Sequence, residues 1–239
     1  MATYRVLAII PTAADMPDGS GIARATDNEI VRALNAVVEF PEHMANHSAG
    51  MCEIDLSIRV YDDVLPASVF TERNGQDMIQ PNRAAIETGD RGYYDAHVLY
   101  NPAAMTTATT FRGLGGATSG VPYCWIKIGS DELAITIHEW GHAMTVYMQT
   151  VMGTYSNFPT CEPEPAMHCA VPYGYEDDMS APWFDGFFQG TLSDGTGINA
   201  TGWATATPTE TGVVARPYVY RPKPSPWGTI GVLRPGEDG

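Results

Sequence analysis

Positive charge is scarce in this chain of 239 residues: 13 lysines and arginines stand against 28 aspartates and glutamates, for a formal charge of -15. Nucleic acids and anionic lipid surfaces are held by clustered Lys and Arg, so an acid excess of this size excludes both as general partners. Long apolar runs are missing as well. The longest, Val6 to Pro11 and Leu133 to Ile137, fall far short of the roughly 20 residues that cross a bilayer, and no membrane-spanning segment is expected. The start, Met1 to Arg5, lacks the basic region, extended apolar stretch and small-residue cleavage site of a secretory signal. Either an intracellular chain or a secreted one whose signal has been removed fits these residues.

Cysteine is sparse but even in number: Cys52, Cys124, Cys161 and Cys169. The short spacing of Cys161 and Cys169 around an acidic, proline-rich loop predicts a local disulfide clamp, with Cys52 and Cys124 as the second pair; four reduced, buried thiols are the alternative. A clamp of this kind, with the Asn-x-Ser/Thr triplets at Asn46 and Asn199, points to an extracellular protein.

What the chain has is apolar mass, 44% of its residues, enough for one substantial core. Tyr4 to Ile10 reads as a buried strand closed by Pro11. Thr26-Asp27-Asn28-Glu29 matches a capping box, and Ile30, Val31, Leu34, Val37 and Val38 follow at helical spacing, so a helix is predicted over 27 to 39, ending at Pro41. Cys52, Ile54, Leu56, Ile58 and Val60 alternate with polar residues, the period of a strand with one wet face. Pro81 to Thr88 fits a short helix, Ala96 to Tyr100 a strand, 105 to 120 a Thr- and Gly-rich loop, and Tyr123 to Ile128 a further strand. Ser130-Asp131-Glu132 supplies a helix start with a side-chain cap, and the helix that follows, to about Val151, is apolar almost all round and must be buried. One more short helix is predicted near 182 to 190. The fold class is α+β, with the main domain over 1-190 and an irregular Gly/Thr- and Pro-rich extension over 191-239, packed on or trailing from it.

The buried helix carries His138-Glu139-Trp140-Gly141-His142. Residues at i and i+4 leave a helix about 40° apart, so both imidazoles can bind one metal ion. Glu139 lies beside them, placed to take a proton from a water on that ion. Burying two histidines and a glutamate on an apolar helix is costly without a partner that uses them, and a metal is such a partner.

With these residues the sequence resembles the zincin metallopeptidases, whose signature is this motif. The resemblance covers the motif and its helix and, more loosely, the preceding strand. It implies a mixed β-sheet with a backing helix, residues 27 to 39, and an active-site helix. It further implies that Tyr123 to Ile128 is an edge strand along which a peptide substrate runs. The extension of the metzincin subfamily is absent, because Thr145 and Met148 stand where its glycine and third histidine would be.

Glu162, Glu164, Glu176, Asp177, Asp178 and Asp185 are candidates for the third ligand by analogy with other subfamilies. His168 is preferred: it is the last histidine in the chain and adjoins Cys169 of the proposed clamp, which would limit the loop's freedom and reduce the entropy lost on binding. Glu164 and Glu176 come next. Tyr173 or Tyr175 could donate to a developing oxyanion, and Asp178 or Asp185 could orient a ligand histidine. The expected function is a secreted zinc endopeptidase with one catalytic Zn²⁺ on His138, His142 and His168, and Glu139 as general base. Its partners are protein or peptide substrates. A zinc hydrolase of another amide, acyl or glycopeptide bond is the first alternative, and a binding module with a vestigial or structural metal site is the second.

Overall fold

The computed structural model describes residues 1–90, 93–118, 120–129, 131–153, 155–162, 165–169, 173–174 and 182–206. It is an α+β fold around one mixed sheet. Strand β1 (Ala2–Asp15) lies at its heart, parallel to β3 (Cys52–Leu65) on one side and to β6 (Ala96–Asn101) on the other. The sheet continues with β8 (Val121–Lys127), parallel to β6, and ends in β7 (Gly113–Thr118), antiparallel to β8. A short β2 (Ile22–Arg24) pairs with the far end of β1.

Alternation along β1 feeds two cores. Tyr4, Val6, Ala8 and Ile10 face helix α1 (Asp27–His47) and helix α3 (Glu132–Val146), whereas Leu7 and Ile9 face a second cluster with Leu99 and Trp125. A hairpin of β4 (Phe70–Arg73) and β5 (Gln76–Ile79), with helix α2 (Pro81–Glu87), covers that second face. Helices α4 (Pro182–Gln189) and α5 (Ala200–Thr205) close the first core with Trp183, Phe184, Phe187, Phe188 and Trp203. Among the described residues no helix is long and apolar enough to cross a membrane.

Several expectations change. Pro11 does not close β1, which runs on to Asp15: pairing with β6 ends at Ile9, and the register with β3 shifts between Pro11 and Ala13. Helix α1 passes through Pro41 to His47. Proline in a helix costs about 3 kcal/mol, but full burial of Phe40 and Met44 on either side returns roughly 1.5–3 kcal/mol each.

The stretch read as a loop over 105 to 120 contains β7, so the edge strand is β7, and the strand of Tyr123 to Ile128 lies inside the sheet between β6 and β7. Helix α3 begins at Glu132 without the expected side-chain cap: Asp131 is left-handed at φ 54°, and the Glu132 carboxylate instead accepts from Gly129 N–H and pairs with Arg32 at 2.6 Å. The segment from 191, expected to be irregular, includes α5, whose Trp203 is buried and whose start is capped by Asn199. The chain from 207 lies outside the described residues.

Cys161 and Cys169 form the predicted disulfide. Cys52 and Cys124 do not pair; both are free, fully buried thiols. They belong to β3 and β8, with β1 and β6 between them, and three strand spacings amount to about 14 Å, twice the reach of a disulfide.

Candidate metal centre

Helix α3 packs beneath the β8–β7 end of the sheet, and its motif is buried there: His138 and Glu139 are each only 8% exposed. The apolar residues around them bring the pair of histidines inside. Gly141 matters for what lies above the helix, because a Cβ at this position would overlap Sδ and Cε of Met167. With no side chain there, fully buried Met167 rests on the helix and carries its neighbour His168 to the motif.

The three imidazoles converge tip to tip. His138 Nε2 is 3.1 Å from His142 Nε2 and 3.0 Å from His168 Nε2, and the third edge of the triangle is 3.0 Å. The ring centroids are farther apart, at 4.9, 5.0 and 4.7 Å, so the nitrogens point inward. Among the described residues this is the only group of three or more potential ligands whose atoms lie this close.

Protons cannot satisfy such a triangle. An Nε2–H projects in the plane of its ring towards the shared centre, and one hydrogen fills that space, leaving the other lone pairs opposed. One cation answers all three. A triangle with edges near 3.0 Å has corners about 1.7 Å from its centre, within reach of an ion bonded at the roughly 2.0–2.1 Å of zinc–imidazole contacts. The three histidines are close enough to bind one metal ion.

Electrostatics keep two of the three imidazoles, His138 and His142, in a form able to bind metal. Burial, with His168 and Arg112 adding, pushes His138 down to about 4. Burial, with His138, His168 and Arg73 adding, pushes His142 down to about 3. Both are therefore neutral at physiological pH, with lone pairs available to a metal.

Glu139 lies against the edge strand. A Cβ on Gly113 would overlap Glu139 Oε1, and one on Gly115 would overlap the Glu139 carbonyl oxygen and stand 2.6 Å from His142 Cβ. These glycines let the β7 backbone settle on the motif. Phe184 of α4 flanks the other side, its ring 6.3 Å from that of His138.

The remaining sequence candidates divide. His168 joins the site; Glu162 is exposed. Asp185 does not orient a ligand histidine, since its carboxylate is 2.7 Å from Nδ1 of His47. The Asp194 carboxylate beside Tyr173 raises its pKa. Glu164, Tyr175, Glu176, Asp177 and Asp178 lie outside the described residues. Gly113, Gly115, Gly141 and Met167 were missed. The only signal in the sequence was a glycine-rich stretch and a glycine inside a helix, both of which mark close backbone approach.

Comparison with family models, with curated proteins and with solved structures finds no match.

Proposed function

We propose that this chain is a zinc-dependent endopeptidase acting outside the cell. The observation that carries the reading is the triangle of three Nε2 atoms, with edges of 3.0–3.1 Å, on a buried helix that also bears Glu139. His138, His142 and His168 would hold the ion as neutral ligands and leave it a full positive charge. When bound, zinc supplies a Lewis acid that polarises a carbonyl and acidifies a coordinated water.

The residues supply the rest. Glu139 takes a proton from the attacking water onto its carboxylate and hands it to the departing amine nitrogen. The β7 backbone, whose only strand partner among the described residues is β8, has one face against Glu139, and its unpaired edge takes an extended peptide. The Cys161–Cys169 disulfide is compatible with an extracellular setting.

The test is metal content and hydrolysis of an unfolded protein substrate, measured on zinc-supplemented protein, on chelator-treated protein and on E139Q. One equivalent of zinc, activity lost on chelation and regained with zinc, and a roughly 10²- to 10⁴-fold loss in E139Q with zinc retained are expected. Undiminished hydrolysis by E139Q, or protein that takes up no zinc, would overturn the reading.

A further inference from the structure

Two of the three ligands sit on a helix, and the third sits on a disulfide. From this we infer that the redox state of the Cys161–Cys169 bond sets the metal affinity of the site, which loads when the bond is formed and is weak when it is reduced. The inference rests on the metal-site reading and adds its control.

His138 and His142 are spaced by the α3 backbone, which no cysteine touches covalently. His168 lies on a single turn, Ala166–His168, within a loop that the bond closes over a sequence separation of eight. Among the described residues of the loop, Met167 is buried over Gly141, His168 N–H donates to the Pro165 carbonyl at 2.7 Å, and the disulfide ties the adjacent residue, Cys169. Opening the bond removes this covalent tie and acts on one ligand of three. Freedom regained by a loop of this size corresponds to a loss of affinity of about ten- to a hundredfold.

The chemistry is confined to this bond. Cys52 and Cys124 are fully buried, and burial pushes both thiols up, which makes them poor nucleophiles. Of the two residues Cys161 is the more exposed, Cys169 being buried, and the attack falls on Cys161. A thiolate of a small dithiol bonds to Cys161 Sγ and expels Cys169 as thiolate. The second thiol of the reductant then attacks its own mixed disulfide, releasing Cys161 as thiolate. The reductant becomes a cyclic disulfide, and its two electrons and two protons end on Cys161 and Cys169. In the loading direction a small-molecule disulfide takes up the two electrons and two protons of Cys161 and Cys169, is released as two thiols and leaves the bond formed; until then the chain holds zinc about ten- to a hundredfold more weakly.

The experiment measures zinc affinity by competition with a chromophoric chelator. It compares oxidised protein, protein reduced with a dithiol and desalted without oxygen, the C161S/C169S variant, and H168A in both redox states. Oxidised protein should bind zinc about ten- to a hundredfold more tightly than the reduced protein and the serine variant, with far-ultraviolet circular dichroism unchanged. H168A should bind equally in both states, because the bond acts through that ligand. Equal affinity of oxidised and C161S/C169S protein overturns the inference, as does a redox dependence that persists in H168A. Oxidised protein that binds no zinc overturns the metal-site reading itself, an outcome distinct from the other two.

Discussion

Gly115→Ala tests the packing that holds the site together. The added methyl would overlap the Glu139 carbonyl oxygen and lie 2.6 Å from His142 Cβ and 2.9 Å from the Ala143 nitrogen, where ordinary contacts begin at 3.4 Å. Two of these three atoms belong to helix backbone and cannot rotate away, so β7 and α3 must separate by about 1 Å in a close-packed interior. Overpacking of this kind costs on the order of 3 kcal/mol, or a fall of roughly 6–12 °C in melting temperature for a chain of this length. Gly116→Ala is the internal control: on the opposite face of the same strand its methyl meets the end of the Tyr123 ring at 3.0 Å, and it carries the same unfolded-state benefit of Gly→Ala. Urea unfolding of both variants, metal-free, should place G115A about 3 kcal/mol below G116A. Midpoints within about 0.5 kcal/mol of each other would refute the claim that β7 rests on α3 through its glycines.

Thr26→Ala removes an N-cap that accepts from Glu29 N–H at 3.3 Å and should cost about 1 kcal/mol by urea unfolding, with zinc affinity unchanged. Met167→Ala empties the space over Gly141 and should weaken zinc binding about tenfold in chelator competition; an unchanged affinity would mean that Met167 does not hold His168. His97 is buried, its Nδ1 is 2.6 Å from Asn82 Oδ1, its Nε2 has no hydrogen-bond partner among the described residues, and burial pushes it down to about 4. Its folded value lies below the unfolded value near 6.5, so its contribution is complete above pH 6.5 and is lost as pH falls towards 4, by up to about 3 kcal/mol. The difference in unfolding free energy between wild type and H97Q, followed from pH 7.5 to 4, should shrink over that window and stay flat above it.

The features legible in the sequence were those encoded over a few residues. The capping box forms as read, with Thr26 N–H and Oγ1–H both donating to the Glu29 carboxylate at 2.8 Å. Helical spacing placed His138 beside His142, and proximity along the chain gave the Cys161–Cys169 bond, with His168 beside it. What depended on distant partners was not legible. A glycine-rich strand such as β7 carries no strand signal of its own, because glycine weakens strands; it forms here because Glu139 and His142 need the room. Pairing Cys52 with Cys124 was arithmetic over what remained, and it failed because register, which sets where β3 and β8 lie, is a property of the whole sheet. Pro11 and Pro41 are stop signals overridden by neighbouring pairing and burial.

The triangle of histidines is preorganised by what lies on the opposite face of helix α3. Trp140 stands two residues from each motif histidine, about 200° around the helix from both. It is fully buried, edge-on to Tyr4 at 5.6 Å and to Phe40 at 5.6 Å, which joins α3 to the central strand and to α1. Turning the helix to expose Trp140 would forfeit several kcal/mol of aromatic burial, so its rotation is fixed, and that rotation directs His138 and His142 away from the core towards His168. The energy that holds three mutually opposed nitrogens 3.0–3.1 Å apart therefore comes from the core behind them. A cation then meets a site whose ordering entropy was already lost in folding.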